Sequence, residues 1–301
     1  MRLATVLALS SALALGFALA ASPARNASAA DAVPAAGPVT GEPAAAPVAS
    51  PGPTANAPGN APGTAAGATP GTAPGLNPSF APTKNVLELF TSQGCDTCPP
   101  ADQVLARYAN RPNVIALTLP VDIWDYLGWK DTLASDKNSE RQKFYAKARG
   151  DGAIFTPQIV VNGLASVNGN DPIAINKAIL RTDAELQGKQ VPIRFWHERN
   201  SIIIEAGDAP AGSTLKEATI WFAVVQKTAQ VPVQRGENHG KTLTYTNIVR
   251  EMMPVGSWNG KAMNLQLARA SVMRPETEAC IVLLQEGKAG PIIGAAWTGL
   301  W

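Results

Sequence analysis

Between Val86 and Tyr108 the chain passes through an apolar segment of strand length, two cysteines two residues apart, and a segment with helical spacing, in that order. Val86-Leu-Glu-Leu-Phe90 is the apolar run and Thr91-Ser-Gln-Gly94 has the composition of a turn. Cys95-Asp-Thr-Cys98 follows, after which Val104, Leu105 and Tyr108 fall on one helical face. Pro99 and Pro100 suit the first turn of a helix, where proline breaks no N–H bond. The order therefore predicts a cysteine pair at a helix N-terminus. Free backbone N–H groups and the helix dipole stabilise a thiolate there and make the first cysteine nucleophilic. The spacing predicts Cys95 as the exposed, attacking thiol and Cys98 as the buried one that resolves a mixed disulfide. Asp96 moderates the effect, because an adjacent carboxylate repels a thiolate. Two other uses of the pair stay open: a passive disulfide, or half of a metal site. The remaining candidate ligands for the latter, Cys280, His197 and His239, lie far along the chain, and there is no second CxxC.

Glu88 interrupts the apolar run. Leu87 and Leu89 on one side, with Val86 and Phe90 on the other, predict a strand covered on both faces. A carboxylate there is costly unless it is neutral, hydrogen-bonded or useful. The expectation is a raised pKa and a role as acceptor of the Cys98 proton; the alternative is a structural or surface glutamate.

Upstream, Arg2, the apolar Leu3 to Ala20 and the small-residue Ala18-Leu-Ala20 predict an export signal over residues 1–20. Residues 21–82 hold 13 of the chain's 25 prolines and only three charged residues, Arg25, Asp31 and Glu42. Such an Ala/Pro/Gly tract cannot bury a core and is expected to be a disordered tether. Export places the protein in the periplasm or outside the cell, where disulfides persist, with no membrane span left after cleavage. The charge balance, 25 Lys and Arg against 23 Asp and Glu, shows no basic cluster and argues against a nucleic-acid partner. Cys280 sits in the apolar Ala279-Cys-Ile-Val-Leu-Leu284 and reads as a buried, inert thiol.

After the first helix, Asn113 to Leu119 reads as a second, parallel strand. It runs into Pro120-Val-Asp-Ile-Trp-Asp-Tyr-Leu-Gly-Trp-Lys-Asp131, which would flank the CxxC beyond the carboxyl ends of the strands. Trp124 and Asp122 are its candidate substrate-binding residues; a packed insertion whose carboxylates cap turns is the alternative. A helix is expected over 139–149, with Ser139 as N-cap and Phe144 and Tyr145 available for burial. Thr156-Pro157 precedes the strand-like Gln158-Ile-Val-Val161, where a thioredoxin-like fold sets a cis peptide opposite its CxxC to position substrate. Asn162-Gly163 is a hairpin signal, and Pro172 opens a helix to about Gly188. From Val191 seven strand candidates follow without a helix, at 191–198, 201–206, 217–226, 241–252, 263–273, 278–285 and 290–297, as in an antiparallel sandwich. The polar cluster Arg235-Gly-Glu-Asn-His239 lies among them.

The runs LELFTSQGCDTCPPAD, VDIWDYLGWKD, ERQKFYA, FTPQIVVNG, RGENHGKTL and NIVR together resemble the secreted thioredoxin-like family catalogued as domain of unknown function 1223, over approximately 84–301. The resemblance implies a thioredoxin-like domain with an appended β-rich portion, and no established reaction. The family usually has a histidine just before the Val-Asp of the aromatic segment; Pro120 stands there, so any role of that histidine is missing. The expected architecture is α/β: a thioredoxin-like domain over 83–188 and an antiparallel, sandwich-like β domain over 189–301. The expected activity is thiol–disulfide exchange with protein or small-molecule thiols, without cofactor or resident metal. Two rivals are a non-catalytic envelope binding module with a fixed disulfide, and a metal-handling protein using the two thiolates.

Overall fold

The computed structural model describes residues 85–299. The signal expected over 1–20 and the tether expected over 21–82 lie outside the described residues.

β1 (Asn85–Thr91) is buried along its whole length. Val86 and Phe90 enter one hydrophobic cluster, Leu87 and Leu89 another. Helix α1 (Cys98–Ala109) connects it to the parallel β2 (Val114–Pro120). On its other side β1 pairs antiparallel with β3 (Gln158–Val161), which turns through Asn162 and Gly163 into β4 (Ala165–Asn168). Both turn residues have positive φ, 52° and 71°, and a Cβ on Gly163 would come within 2.2 Å of the Gly290 carbonyl oxygen. Only glycine fits such a left-handed position pressed against backbone. Helices α1 and α3 (Pro172–Leu186) cover the Leu87/Leu89 face, while α2 (Asp136–Arg149) sends Tyr145 into the Val86/Phe90 face.

Helix α2 starts earlier than the sequence predicts. Ser135, not Ser139, is its N-cap, accepting from the Lys137 N–H. Ser139 is buried instead, with Asn138, Arg141, Gln142 and Tyr145, so this helix turns a mostly polar face inward. Phe144 is exposed, beneath the Lys288 ammonium.

All seven expected C-terminal segments contain strands: β5 (Ile193–Glu198), β6 (Ser201–Ala206), β7 (Ala218–Pro232), β8 (Thr242–Trp258), β9 (Met263–Ala268), β10 (Ala279–Gln285) and β11 (Ile292–Gly299). One expected strand is interrupted, because Arg269–Val272 forms a one-turn helix, α4. Their arrangement is not a self-contained sandwich. Four of them extend the first sheet, giving eight strands in the order β11-β10-β7-β8-β2-β1-β3-β4, and only β5, β6 and β9 form a second sheet. The seam is narrow: β8 meets β2 through the single parallel pair Thr118–Ile248. The Thr118 hydroxyl donates to the Thr246 carbonyl at 2.6 Å, and Asn247 Nδ2 donates to the Ala116 carbonyl at 3.0 Å.

The second sheet packs Ile193, Phe195, Ile202 and Ile204 against Ile220, Phe222, Val282 and Leu284 of the large sheet. The other face of that half shares a core with β1: Val86, Leu117 and Tyr145 cluster with Ala223, Ile281, Leu283 and Ile292. Each such fully buried aliphatic side chain contributes about 1.5–3 kcal/mol of transfer free energy. Residues 188/189 therefore mark a change of secondary structure, with one core running across them. The fold is a mixed α/β one dominated by a large sheet.

Candidate functional site

β1 ends at Thr91 and the chain makes two successive turns before α1. The Cys95 N–H donates to the Ser92 carbonyl at 3.2 Å, and the Cys98 N–H to the Cys95 carbonyl at 3.3 Å. Cys95 and Cys98 are joined by a disulfide across this second turn. Cys95 is 4 % exposed and Cys98 0 %, so the expected exposed thiol is nearly as covered as its partner; Asp96 and Thr97 are the residues that face solvent.

The expected thiolate-stabilising donors are also missing. The helix begins at Cys98, whose N–H is already used, and Pro99 and Pro100 have none. The dipole remains, and the Thr97 hydroxyl lies 3.5 Å from Cys95 Sγ. The Thr97 hydroxyl and the dipole are what a thiolate at Cys95 has from this helix start.

The aromatic segment returns to this turn. A Cβ on Gly94 would sit 2.9 Å from Trp124 Cβ, so Trp124 backs directly onto the residue before Cys95. Its indole N–H donates to the Thr156 hydroxyl at 2.7 Å. Thr156-Pro157 is a cis peptide, and the Pro157 carbonyl accepts from the Gly169 N–H at 3.0 Å. A Cβ on Gly169 would touch both Pro157 and Ala101 of α1, and Asn170 Nδ2 donates to the Thr97 carbonyl at 2.8 Å. Trp124, Thr156 and Pro157 are thus gathered around the disulfide. Asp122 is tied elsewhere: its carboxylate accepts from the Ser139 hydroxyl of α2 at 2.5 Å. Gln93, fully buried, holds the segment in place through the Trp129 indole at 2.8 Å and Thr132. Tyr126 is left 76 % exposed beside Trp124.

Glu88 does not serve Cys98. It shares a face with Val86 and Phe90, opposite the face that α1 covers. There its carboxylate accepts from Arg141 Nε at 2.6 Å, from Arg141 Nη2 at 3.2 Å and from the Tyr145 hydroxyl. Gln285 of β10 completes the group, accepting from Arg141 at 3.1 Å and donating to Tyr145 at 2.9 Å. The expected proton relay is replaced by a buried, fully partnered ion pair.

The acid on the cysteine side is Asp102, one helical turn after Cys98 and therefore on the same side of α1. It is 4 % exposed, and among the described residues neither carboxylate oxygen has a hydrogen bond of normal geometry. Burial pushes its pKa well above the usual carboxylate range; the Thr91 hydroxyl opposes this and the Asp131 carboxylate adds to it. The Thr91 and Tyr245 hydroxyls are likewise buried without such a bond, Thr91 reaching Asp102 only loosely. Burial, then the Asp102 and Asp131 carboxyls, push the Tyr245 phenol up. Asp131 itself is well held, accepting from the N–H groups of Gln93 at 2.7 Å, Leu133 at 2.8 Å and Ala134 at 3.0 Å. The sign of this acid in the sequence was its spacing, one turn after Cys98 and three residues before Leu105, which puts it on the buried face of an amphipathic helix.

Asn238, in the loop between β7 and β8, also reaches the site, donating to the Gln93 and Cys95 carbonyls. His239 beside it is exposed. Cys280 is buried and burial pushes its thiol up to about 12, as expected of an inert residue. Among the described residues no three His, Cys, Asp or Glu side chains gather as metal ligands.

A family model for proteins of unknown function, DUF1223, matches residues 86–285. The chain belongs to the DUF1223 family. The matched span runs from β1 through β10, so the C-terminal strands belong to DUF1223 as much as the CxxC does. A crystal structure of protein AGR_C_4864 from Agrobacterium tumefaciens is similar at 33 % identity with a TM-score of 0.63, covering 73 % of this chain and 97 % of that one. HBP35 of Porphyromonas gingivalis, at 13 % identity, is similar in fold alone, with a TM-score of 0.54 over 72 % of this chain and 75 % of that one. No curated protein matches the chain.

Proposed function

We propose that this DUF1223 protein is an exported thiol–disulfide exchange protein whose β1–α1–β2, β3–β4 and α3 portion is thioredoxin-like. The observation that carries the reading is the unpartnered, buried Asp102 one turn behind a CxxC disulfide. Burying a carboxyl with no partner costs about 1–3 kcal/mol, a cost with no structural return but with a use in proton transfer. Trp124, hydrogen-bonded to Thr156 and packed on Gly94 just before the pair, supports the same reading.

In the exchange, an external thiolate attacks Cys95 Sγ. The Cys95–Cys98 bond breaks, its electron pair goes to Cys98 Sγ, and the protonated Asp102 supplies a proton to that sulfur, directly or through water. In reverse, Asp102 takes the proton as Cys98 attacks the mixed disulfide and expels the external thiolate. A carboxyl whose pKa is raised well above the usual carboxylate range suits both steps. Partners are protein or small-molecule thiols and disulfides in an oxidising compartment.

The low exposure of both cysteines favours a second reading, a fixed disulfide in a binding module. Glutathione redox buffers separate the two. A cycling disulfide opens within the range of about −120 to −270 mV spanned by thiol oxidoreductases, whereas a structural one stays closed until below about −300 mV. Closure throughout the glutathione range overturns the exchange reading.

A further inference from the structure

The tip of the β7–β8 hairpin is exposed at Arg235, Glu237 and His239, yet Asn238 between them is fully buried. Its Nδ2 donates to the Gln93 carbonyl at 3.0 Å and to the Cys95 carbonyl at 2.8 Å. Its Oδ1 accepts from Lys241 Nζ at 2.9 Å. Since an ammonium only donates, Lys241 fixes which end of the amide faces the carbonyls. The loop is shaped to present this side chain. Gly236 and Gly240 have φ of 78° and 80°, and the His239, Gly240 and Lys241 N–H groups close turns onto Gly236, Val233 and Asn238.

The Cys95 carbonyl also accepts the Cys98 N–H, closing the turn that spans the two cysteines. Asn238 therefore grips the acceptor that defines the spacing of the pair. Pro99 and Pro100 leave the helix start no N–H with which to do so.

We infer that Asn238 is a positioning residue for the cysteine pair. Acting through the Gln93 and Cys95 carbonyls, it holds the turn in the geometry of the closed disulfide, so that a residue 143 positions further along the chain helps set the reduction potential. The inference rests on the reading of Cys95 and Cys98 as a pair that opens and closes. In the relevant equilibrium the dithiol loses two electrons and two protons to glutathione disulfide, forming the protein disulfide and two glutathione molecules. Without Asn238 the reduced turn relaxes, the thiols meet less often, and closure becomes less favourable.

The test compares the full chain with Asn238→Ala and Thr118→Val in glutathione buffers, scoring open and closed forms by alkylation and mass. Thr118→Val removes the hairpin-to-sheet hydrogen bond to the Thr246 carbonyl at the β2–β8 seam. The Asn238→Ala closing constant is expected to fall about five- to tenfold, a rise of about 20–30 mV in potential, with Thr118→Val unmoved. Loss of urea resistance in both variants with an unmoved potential in Asn238→Ala makes Asn238 merely structural and overturns the inference. Should Asn238→Ala not fold, Lys241→Met, which frees the amide to rotate, carries the test: a smaller shift in the same direction supports positioning and no shift overturns it. If the unaltered disulfide stays closed in glutathione, the exchange reading fails; the same comparison in dithiothreitol buffers then still decides whether Asn238 moves the potential.

Discussion

Two buried carboxylates lie on opposite faces of β1 and are treated in opposite ways. On the α2 side, Glu88 meets a guanidinium, a phenol and, through them, a carboxamide. Burial is the largest influence on Arg141 and works against its charge, but Glu88 and Tyr145 together outweigh it and raise the Arg141 pKa. On the α1 side, Asp102 has no cation and no well-formed hydrogen bond among the described residues, only the loosely placed Thr91 hydroxyl, the nearby Tyr245 phenol and the repulsion of Asp131. A buried acid that is fully satisfied joins elements together, here β1, α2 and β10. One left unsatisfied destabilises the fold, and on the exchange reading its use is as a proton store for Cys98. The contrast predicts substitutions of opposite sign at the two sites.

The largest effect belongs to the partnered side. Arg141→Met leaves the Glu88 carboxylate buried without its counter-charge and should cost about 3–5 kcal/mol in urea unfolding. A loss below about 1 kcal/mol would mean that water already reaches Glu88 and that the two sites differ less than their geometry implies. On the exchange reading, Glu88→Gln lowers stability while leaving the rate of mixed-disulfide resolution unchanged.

Asp102→Asn should do the reverse, leaving a more stable protein at neutral pH and, on the exchange reading, slowing resolution. The sign follows from the raised folded-state pKa. Below the unfolded pKa of about 3.9 both states bind the proton and Asp102 contributes no pH dependence. As pH rises from there toward the folded pKa, the unfolded chain has released the proton and the folded chain has not, so stability falls, by at most about 1.4 kcal/mol per pH unit. The advantage of Asp102→Asn should therefore grow across that window and then level off. A constant stability difference between the two proteins from pH 4 to 8 would show that Asp102 ionises normally, and general acid–base assistance by it would go with it.

How far the sequence carries differs between these sites for a physical reason. The strand–CxxC–helix order, Thr156-Pro157 and the seven C-terminal strand segments are local patterns, and each is legible from spacing and turn residues. That β1 buries Glu88 was also legible, from apolar neighbours on both its faces. Which way Glu88 would point was not, since Arg141 lies on a helix whose buried face is polar and gives no amphipathic signal. That Asp102 would face Tyr245 was not legible, because Tyr245 comes from β8, and β8 reaches β2 through a single residue pair. The shared sheet was hidden for the same reason. A seam of one backbone pair and two side-chain hydrogen bonds leaves no periodic trace in either strand.

The smallest effect distinguishes the two tyrosines that face these acids. Tyr145 donates to Glu88 and receives from Arg141 and Gln285, so Tyr145→Phe removes a member of a satisfied group and leaves its partners short. Tyr245 carries a hydroxyl with no partner, so Tyr245→Phe removes only an orphan polar atom from a closed space. Both side chains are essentially fully buried and both changes delete one oxygen, which keeps cavity and transfer effects nearly equal. Tyr145→Phe should cost about 1–3 kcal/mol, as expected for stranding buried partners, whereas Tyr245→Phe should be neutral or stabilising by up to about 1 kcal/mol. Paired urea titrations at one pH read the difference directly. A matching loss at Tyr245 would mean that its hydroxyl is satisfied in solution, by Asp102 or by a water that bridges them. On the exchange reading, the proton store on the α1 side would then be a bonded pair, and its influence on Cys98 would have to pass through that bond.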